Sequence, residues 1–135
     1  MKHAMAVACL VAGVLCGCAP ATSGQVQAES SAVVKEADMQ VDMAYVEAHL
    51  NDSKLIDVRT PGEFEQGHIE GAINIDSATF DVEQVSGAGI GTDDPIIIYC
   101  RTGRRADGVA RALADAGYTQ IKVYKPGYPE WAASH

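Results

Sequence analysis

Residues 95–99, Pro-Ile-Ile-Ile-Tyr, form a continuous apolar run that is rich in β-branched side chains. Such a run is typical of a strand that is covered on both faces, as in a parallel sheet between helices. A helical pattern follows at 106–116, where apolar side chains recur on one face and Gly117 ends the pattern. A buried strand that leads into an amphipathic helix is the repeating unit of an α/β fold.

The rest of the sequence after Met39 repeats this alternation, and 135 residues are enough for one domain. Further strands are predicted at 54–58, 72–75 and 121–124, and further helices at 43–50, 61–65, 77–86 and 128–133. Asp42 is a candidate cap for the first helix, and Pro61 suits the first turn of the second. The sequence therefore predicts a single α/β domain over residues 39–135, with a parallel sheet flanked by helices on both faces.

The N-terminal residues have the layout of a bacterial export signal: Lys2 and His3, then an apolar stretch from Ala4 to Leu15. This stretch is shorter than the roughly 20 residues that a membrane-spanning helix needs. Leu-Cys-Gly-Cys at 15–18 resembles the lipobox of bacterial lipoproteins, which implies cleavage before Cys18 and acylation of Cys18. We therefore expect a signal peptide at 1–17, then the lipidated cysteine and a flexible tether at 18–38.

The expected location follows from this signal. The chain would be exported and held at the periplasmic face of a bacterial membrane, and Ala19 after the cysteine implies the outer membrane. The alternative is ordinary cleavage near Ala19 or Ala21, which would release a soluble periplasmic protein. The net charge of −8 argues against nucleic acid or an anionic membrane surface as a partner, so membrane contact is expected through the lipid only.

Cysteine usage singles out Cys100. Cys9 and Cys16 would leave with the signal and Cys18 would carry lipid, so Cys100 is the one thiol of the predicted domain. The next residues, Arg-Thr-Gly-Arg-Arg at 101–105, must turn the chain from strand into helix, and the backbone N–H groups of such a loop bind anions. A thiol in that setting is favoured as the reactive thiolate. An inert, buried cysteine is the alternative from composition alone.

Two segments carry a family resemblance. Leu-Ile-Asp-Val-Arg at 55–59, with Gly-His-Ile-Glu-Gly-Ala-Ile-Asn-Ile at 67–75, is similar to the first signature of the rhodanese homology domain. Tyr-Cys-Arg-Thr-Gly-Arg-Arg at 99–105 is similar to its active-site loop. The resemblance covers most of residues 39–135 and implies a five-stranded parallel sheet between helices.

The resemblance also implies an activity: a sulfurtransferase of the thiosulfate type, in which Cys100 accepts a sulfane sulfur as a persulfide. The donor would be a small anion such as thiosulfate, the acceptor a thiol, cyanide or a protein, and neither a cofactor nor a metal is expected. The implied substrate-binding residues are Arg59, Arg101, Thr102, Gly103, Arg104 and Arg105.

Other positions of the resemblance have open roles. Arg59 is either a substrate contact or one half of an ion pair with Glu63 or Glu65. Asp57 and His68 are expected to be structural, with His68 tying a loop. Pro126 stands where many relatives have a second glycine, which leaves the shape of one pocket wall open.

Two other functions compete with catalytic sulfur transfer. A rhodanese-fold phosphatase or arsenate reductase has a loop one residue longer, Cys-x5-Arg, and the position of that arginine is Ala106 here. The shorter loop suits a sulfur atom better than a phosphate. The second alternative is a non-catalytic carrier or binding module, whose Cys100 persulfide would pass only to a docked partner.

Overall fold

The computed structural model describes residues 39–135. The predicted signal peptide at 1–17, Cys18 and the tether that ends at residue 38 lie outside the described residues and stay predictions. Within residues 39–135, no helix is long and apolar enough to cross a membrane.

The described chain forms one five-stranded sheet, and all neighbouring strands are parallel. The strand order is β1-β5-β4-β2-β3, so β4 is the central strand. The strands are β1 (Gln40–Val41), β2 (Lys54–Asp57), β3 (Ile73–Asn74), β4 (Ile96–Tyr99) and β5 (Ile121–Tyr124). The helices are α1 (Met43–His49), α2 (Pro61–Glu65), α3 (Val82–Gly87), α4 (Arg104–Asp115) and α5 (Tyr128–Ser134).

Helices cover both faces of the sheet, as the apolar run at 95–99 predicts. Every residue of β4 is buried, and successive side chains enter opposite cores. One core joins Ile98 of β4 to Val85 of α3 and Leu113 of α4. The other joins Ile97 to Val46 of α1 and Trp131 of α5. The predicted α/β fold with a five-stranded parallel sheet is therefore confirmed.

Two helix starts differ from the predicted ones. Helix α4 begins at Arg104 rather than near residue 106, because Gly103 adopts the left-handed conformation (φ 80°) and ends the turn two residues sooner. Helix α3 begins at Val82 rather than at residue 77. Asp81 sets that start, since its carboxylate accepts from the backbone N–H of Glu83 while the Gln84 side chain accepts from the N–H of Asp81.

Strand β1 is an element that the alternation of apolar residues did not show. It has only two residues, which are too few to display a period, and it exists because it pairs with β5 at the sheet edge. Asp42, directly after it, caps α1 as predicted and accepts from the backbone N–H of Tyr45 at 3.0 Å.

Candidate active site

Cys100 follows the last residue of β4, at the carboxyl edge of the sheet. Its thiol is free and the residue is fully buried. The backbone N–H of Gly103 donates to Sγ at 3.0 Å. The loop thus directs a backbone dipole at the sulfur, which stabilises negative charge there.

A second loop, 125–127, presses against the Cys100 loop and holds its shape. The backbone N–H of Tyr128 donates to the Cys100 carbonyl at 2.9 Å. A Cβ on Gly103 would lie 3.1 Å from the Lys125 carbonyl oxygen, and one on Gly127 would lie 2.7 Å from the Arg101 carbonyl oxygen. Both glycines are therefore required by close backbone approach, and Pro126 lies between the two contact points.

Arg105 is fixed by Glu63 of helix α2. Its Nη1 and Nη2 donate to the two carboxylate oxygens of Glu63 at 2.9 and 3.1 Å, a bidentate geometry. The hydrogen bonds to Glu63, then its negative charge and to a smaller extent the nearby Cys100, raise the pKa of Arg105. Since α4 begins at Arg104, Arg105 is a first-turn helix residue and not a free loop residue.

Arg59 has a different ion-pair partner from the two proposed from the sequence. It pairs with Asp57 and not with Glu63 or Glu65: Nη2 lies 2.6 Å from Oδ2, and Nε also donates to the carboxylate. Both residues are buried, and Nη2 also donates to the Gly67 carbonyl at 2.6 Å. Arg59 pairs with Asp57 because Asp57 ends strand β2 only two residues before it, whereas Glu63 is bound to Arg105.

The guanidinium of Arg59 stacks on an aromatic ring as well. Its central carbon lies 4.2 Å from the centroid of the Tyr128 ring. Asp57 holds this guanidinium in place, which agrees with the structural role expected for it. His68 also has a structural contact: its Nδ1 lies 3.0 Å from the Phe64 carbonyl oxygen, and the two rings stack.

The other predicted substrate-binding residues follow Cys100 in the chain, and most of them are exposed. Arg101, Thr102 and Arg104 are exposed, whereas Gly103 is buried. A cleft of about 360 Å³ opens on the side of Arg101, and one of about 350 Å³ on the side of Arg104. The first cleft is also lined by Arg59, Glu63, Gln66, Tyr128 and Pro129. The second is also lined by Ser77, Phe80, Arg105, Gly108 and Val109.

Three residues of the site were not singled out from the sequence as site residues: Glu63, Tyr128 and Tyr99. The Tyr99 hydroxyl accepts from the backbone N–H of Ile69 at 3.0 Å, and burial raises the pKa of Tyr99, which keeps that hydroxyl neutral. Glu63 did carry a sequence signal, since Thr60-x-x-Glu63 is a capping-box pattern and both of its hydrogen bonds form. The sequence offers no comparable signal for Tyr128. Among residues 39–135, no group of three or more His, Cys, Asp or Glu side chains is arranged to hold a metal.

Comparison with known proteins agrees with this architecture. The rhodanese-like domain family is matched over residues 42–134. Thiosulfate sulfurtransferase 16, chloroplastic, of Arabidopsis thaliana is 40% identical over 89 residues, which cover 58% of this chain and 73% of that protein. The uncharacterized protein YqhL of Bacillus subtilis is 39% identical over 79 residues, 58% of this chain, and the chain spans only 60% of the length of YqhL.

A solved structure shows the same fold. The human single-domain sulfurtransferase TSTD1 superposes with a TM-score of 0.63 at 22% identity, over 72% of this chain and 97% of that one. The chain belongs to the rhodanese-like domain family.

Proposed function

We propose that this protein is a sulfurtransferase that moves a sulfane sulfur from a donor such as thiosulfate to a nucleophilic acceptor through a persulfide on Cys100. The observation that carries the proposal is the hydrogen bond from the Gly103 N–H to Sγ, at the carboxyl end of the central strand. An inert core cysteine has no need of a left-handed glycine that turns a backbone dipole onto its sulfur. The name of the A. thaliana relative supports the reaction class.

In the first half-reaction the Cys100 thiolate attacks the outer sulfur of thiosulfate. A new S–S bond forms on the enzyme, the donor S–S bond breaks, and its electron pair leaves with sulfite. The loop amides then stabilise the persulfide anion, whose charge lies one atom farther out. In the second half-reaction an acceptor nucleophile such as a thiol or cyanide attacks the outer persulfide sulfur and regenerates the thiolate.

The substrate-binding roles are part of this proposal. Arg101 and Arg104 are exposed at the mouths of the two clefts, where they attract anionic donors to the buried thiol. The Gly103 amide supports the sulfur directly, and Thr102 lies beside it in the same turn. Arg59 reaches the first cleft but has its guanidinium bound to Asp57, so it shapes the wall more than it attracts charge.

The deciding experiment is mass spectrometry of the full-length protein after treatment with thiosulfate. We expect an adduct of one sulfur atom that maps to Cys100 and is removed by cyanide as thiocyanate. Cys100→Ser should carry no adduct, while the matched Cys18→Ser control should still carry it. An adduct that persists in Cys100→Ser, or none in the unsubstituted protein, refutes the mechanism.

Turnover separates an enzyme from a carrier that serves only a docked partner. An enzyme should form many equivalents of thiocyanate per Cys100 with thiosulfate and cyanide, whereas a partner-dependent carrier would load once and stop. A phosphatase is disfavoured because Ala106 is buried and both terminal nitrogens of Arg105 are bound to Glu63. Phosphate-ester turnover that depends on Cys100, without sulfur transfer, would reverse this choice.

A further inference from the structure

Most of the positive charge near Cys100 is already neutralised within the protein. Arg59 is bound to Asp57, Lys125 forms an ion pair with Asp107, and Arg105 is bound to Glu63. The positive field next to the thiol is therefore weaker than the number of arginines at 101–105 indicates. The arginines of this loop without an ion pair in the described part of the chain are Arg101 and Arg104, and both are exposed at the rim.

Glu63 is the carboxylate that neutralises Arg105. It binds Arg105, five residues after Cys100, and it belongs to neither the Cys100 loop nor helix α4. The cap of helix α2 fixes the Glu63 carboxylate, since the backbone N–H and the hydroxyl of Thr60 donate to Oε2 at 3.0 and 3.1 Å. Arg105, and secondarily Thr60, lower the pKa of Glu63 to about 2, so the carboxylate stays ionised at neutral pH.

A structural cap alone does not account for this arrangement. The capping box needs only one acceptor oxygen, and Oε2 supplies it. Oε1 is directed at Nη2 of Arg105 and closes the bidentate pair. The pair also lies between the two clefts, because Glu63 lines the first and Arg105 lines the second.

We propose that Glu63 is a specificity-determining residue that, by occupying the guanidinium of Arg105, favours singly charged sulfur donors over dianions at Cys100. The proposal rests on the proposed sulfur transfer and deepens it by naming the donor class. Singly charged donors include organic persulfides and thiosulfonates, whereas thiosulfate is a dianion. A carboxylate repels a dianion twice as strongly as a monoanion at the same position.

The size of the effect follows from the charge that Glu63→Gln removes. If the donor charge lies about 6 Å from the carboxylate with water-like screening, their Coulomb energy changes kcat/KM by a factor of about three for each unit of donor charge. Glu63→Gln should therefore increase kcat/KM about threefold for a monoanion and about tenfold for a dianion. The ratio between the two donors should shift about threefold toward the dianion, mainly through a lower KM.

The test uses thiosulfate and methanethiosulfonate as the two donors, with cyanide as acceptor, and the full-length protein. Both donors lose their outer sulfur to Cys100, one leaving as sulfite and the other as methanesulfinate, so they differ chiefly in charge. Glu63→Gln retains a side chain that can serve the capping box. Glu65→Gln is the matched control, because Glu65 is an exposed carboxylate on the same helix, and its ratio of kcat/KM values should equal that of the unsubstituted protein.

A second variant reverses the sign of the expected change. Arg105→Gln leaves the Glu63 carboxylate without its counter-charge, so the ratio should shift about threefold toward methanethiosulfonate. This variant also tests the proposal if Glu63→Gln fails to fold. Both shifts should shrink in high salt, where charges at the surface are screened.

The possible failures are distinguishable. If both donors load Cys100 and the ratio of kcat/KM values is the same in Glu63→Gln, Glu65→Gln and the unsubstituted protein, Glu63 is a structural cap and the specificity proposal is wrong. A shift of the ratio toward the monoanion in Glu63→Gln would also refute it. If neither donor places sulfur on Cys100 in the unsubstituted protein, the proposed function fails, and the specificity proposal fails with it.

Discussion

Gly127→Ala tests whether the second loop holds the Cys100 loop in place. Gly127 has φ 75° and ψ −173°, a region that is essentially confined to glycine. An alanine Cβ there would lie 2.7 Å from the carbonyl oxygen and 2.9 Å from the carbonyl carbon of Arg101, and closer still to the Cys100 carbonyl oxygen. All of these are backbone atoms, so no side-chain rotation can relieve the overlap.

The expected cost has two parts. The backbone conformation alone costs a non-glycine residue about 1–3 kcal/mol. Displacing a backbone segment that borders a close-packed core costs about 1–3 kcal/mol more. We therefore expect Gly127→Ala to lower the free energy of unfolding by about 2–6 kcal/mol, which for a domain of this size lowers Tm by roughly 8 °C or more.

Urea unfolding, followed by circular dichroism and by the fluorescence of Trp131, measures this cost. Gly108→Ala is the control, because Gly108 lies within helix α4 and a Cβ there meets no atom within 4 Å. That substitution should stabilise the domain by about 0.5–1 kcal/mol. A loss of less than about 1 kcal/mol in Gly127→Ala would show that the two loops are not in the close contact described.

Other contacts lead to three further predictions. Arg59→Ala should lower the free energy of unfolding by about 3–5 kcal/mol, because it leaves the Asp57 carboxylate buried without a partner; equal stability in urea unfolding would rule out a buried pair. The depressed pKa of Glu63 means that its pair with Arg105 contributes stability above the ordinary pKa of 4.5 and loses it as the pH falls toward about 2. Because both side chains are about one third exposed, Glu63→Gln should lower the free energy of unfolding by only about 1 kcal/mol at pH 7. This difference in stability from the unsubstituted protein should disappear as the pH falls from 4.5 toward about 2. A difference that does not change with pH would contradict the prediction. Finally, we propose that Cys18 carries the membrane anchor, so Cys18→Ala should move the protein from the membrane to the soluble fraction on cell fractionation, and an unchanged distribution would exclude acylation there.

Local patterns predicted the elements that depend on local physics. Ile96 to Tyr99 had to form a covered strand because four consecutive apolar residues require burial on both faces, and Asp42 and Pro61 marked helix starts through their own backbone chemistry. The predicted ends of helices and strands were less accurate where a tertiary contact or a glycine conformation determines them. Helix α4 begins at Arg104 because Gly103 turns left-handed against Lys125, a contact between residues far apart in the chain.

Adjacent residues alone were enough to predict that Cys100 follows a buried strand and enters a turn whose backbone amides can bind an anion. Which charges near Cys100 remain without an ion pair depends on contacts between residues far apart in the chain. The strand order places the ends of β2 and β4 side by side, with Asp57 opposite Tyr99, and this brings Glu63 to Arg105 across 42 positions of sequence. Each arginine has several carboxylates at similar separations in the sequence, but an ion pair forms only between groups within a few ångströms in space. Partner choice, and with it the field at the thiol, therefore depends on how the strands pack.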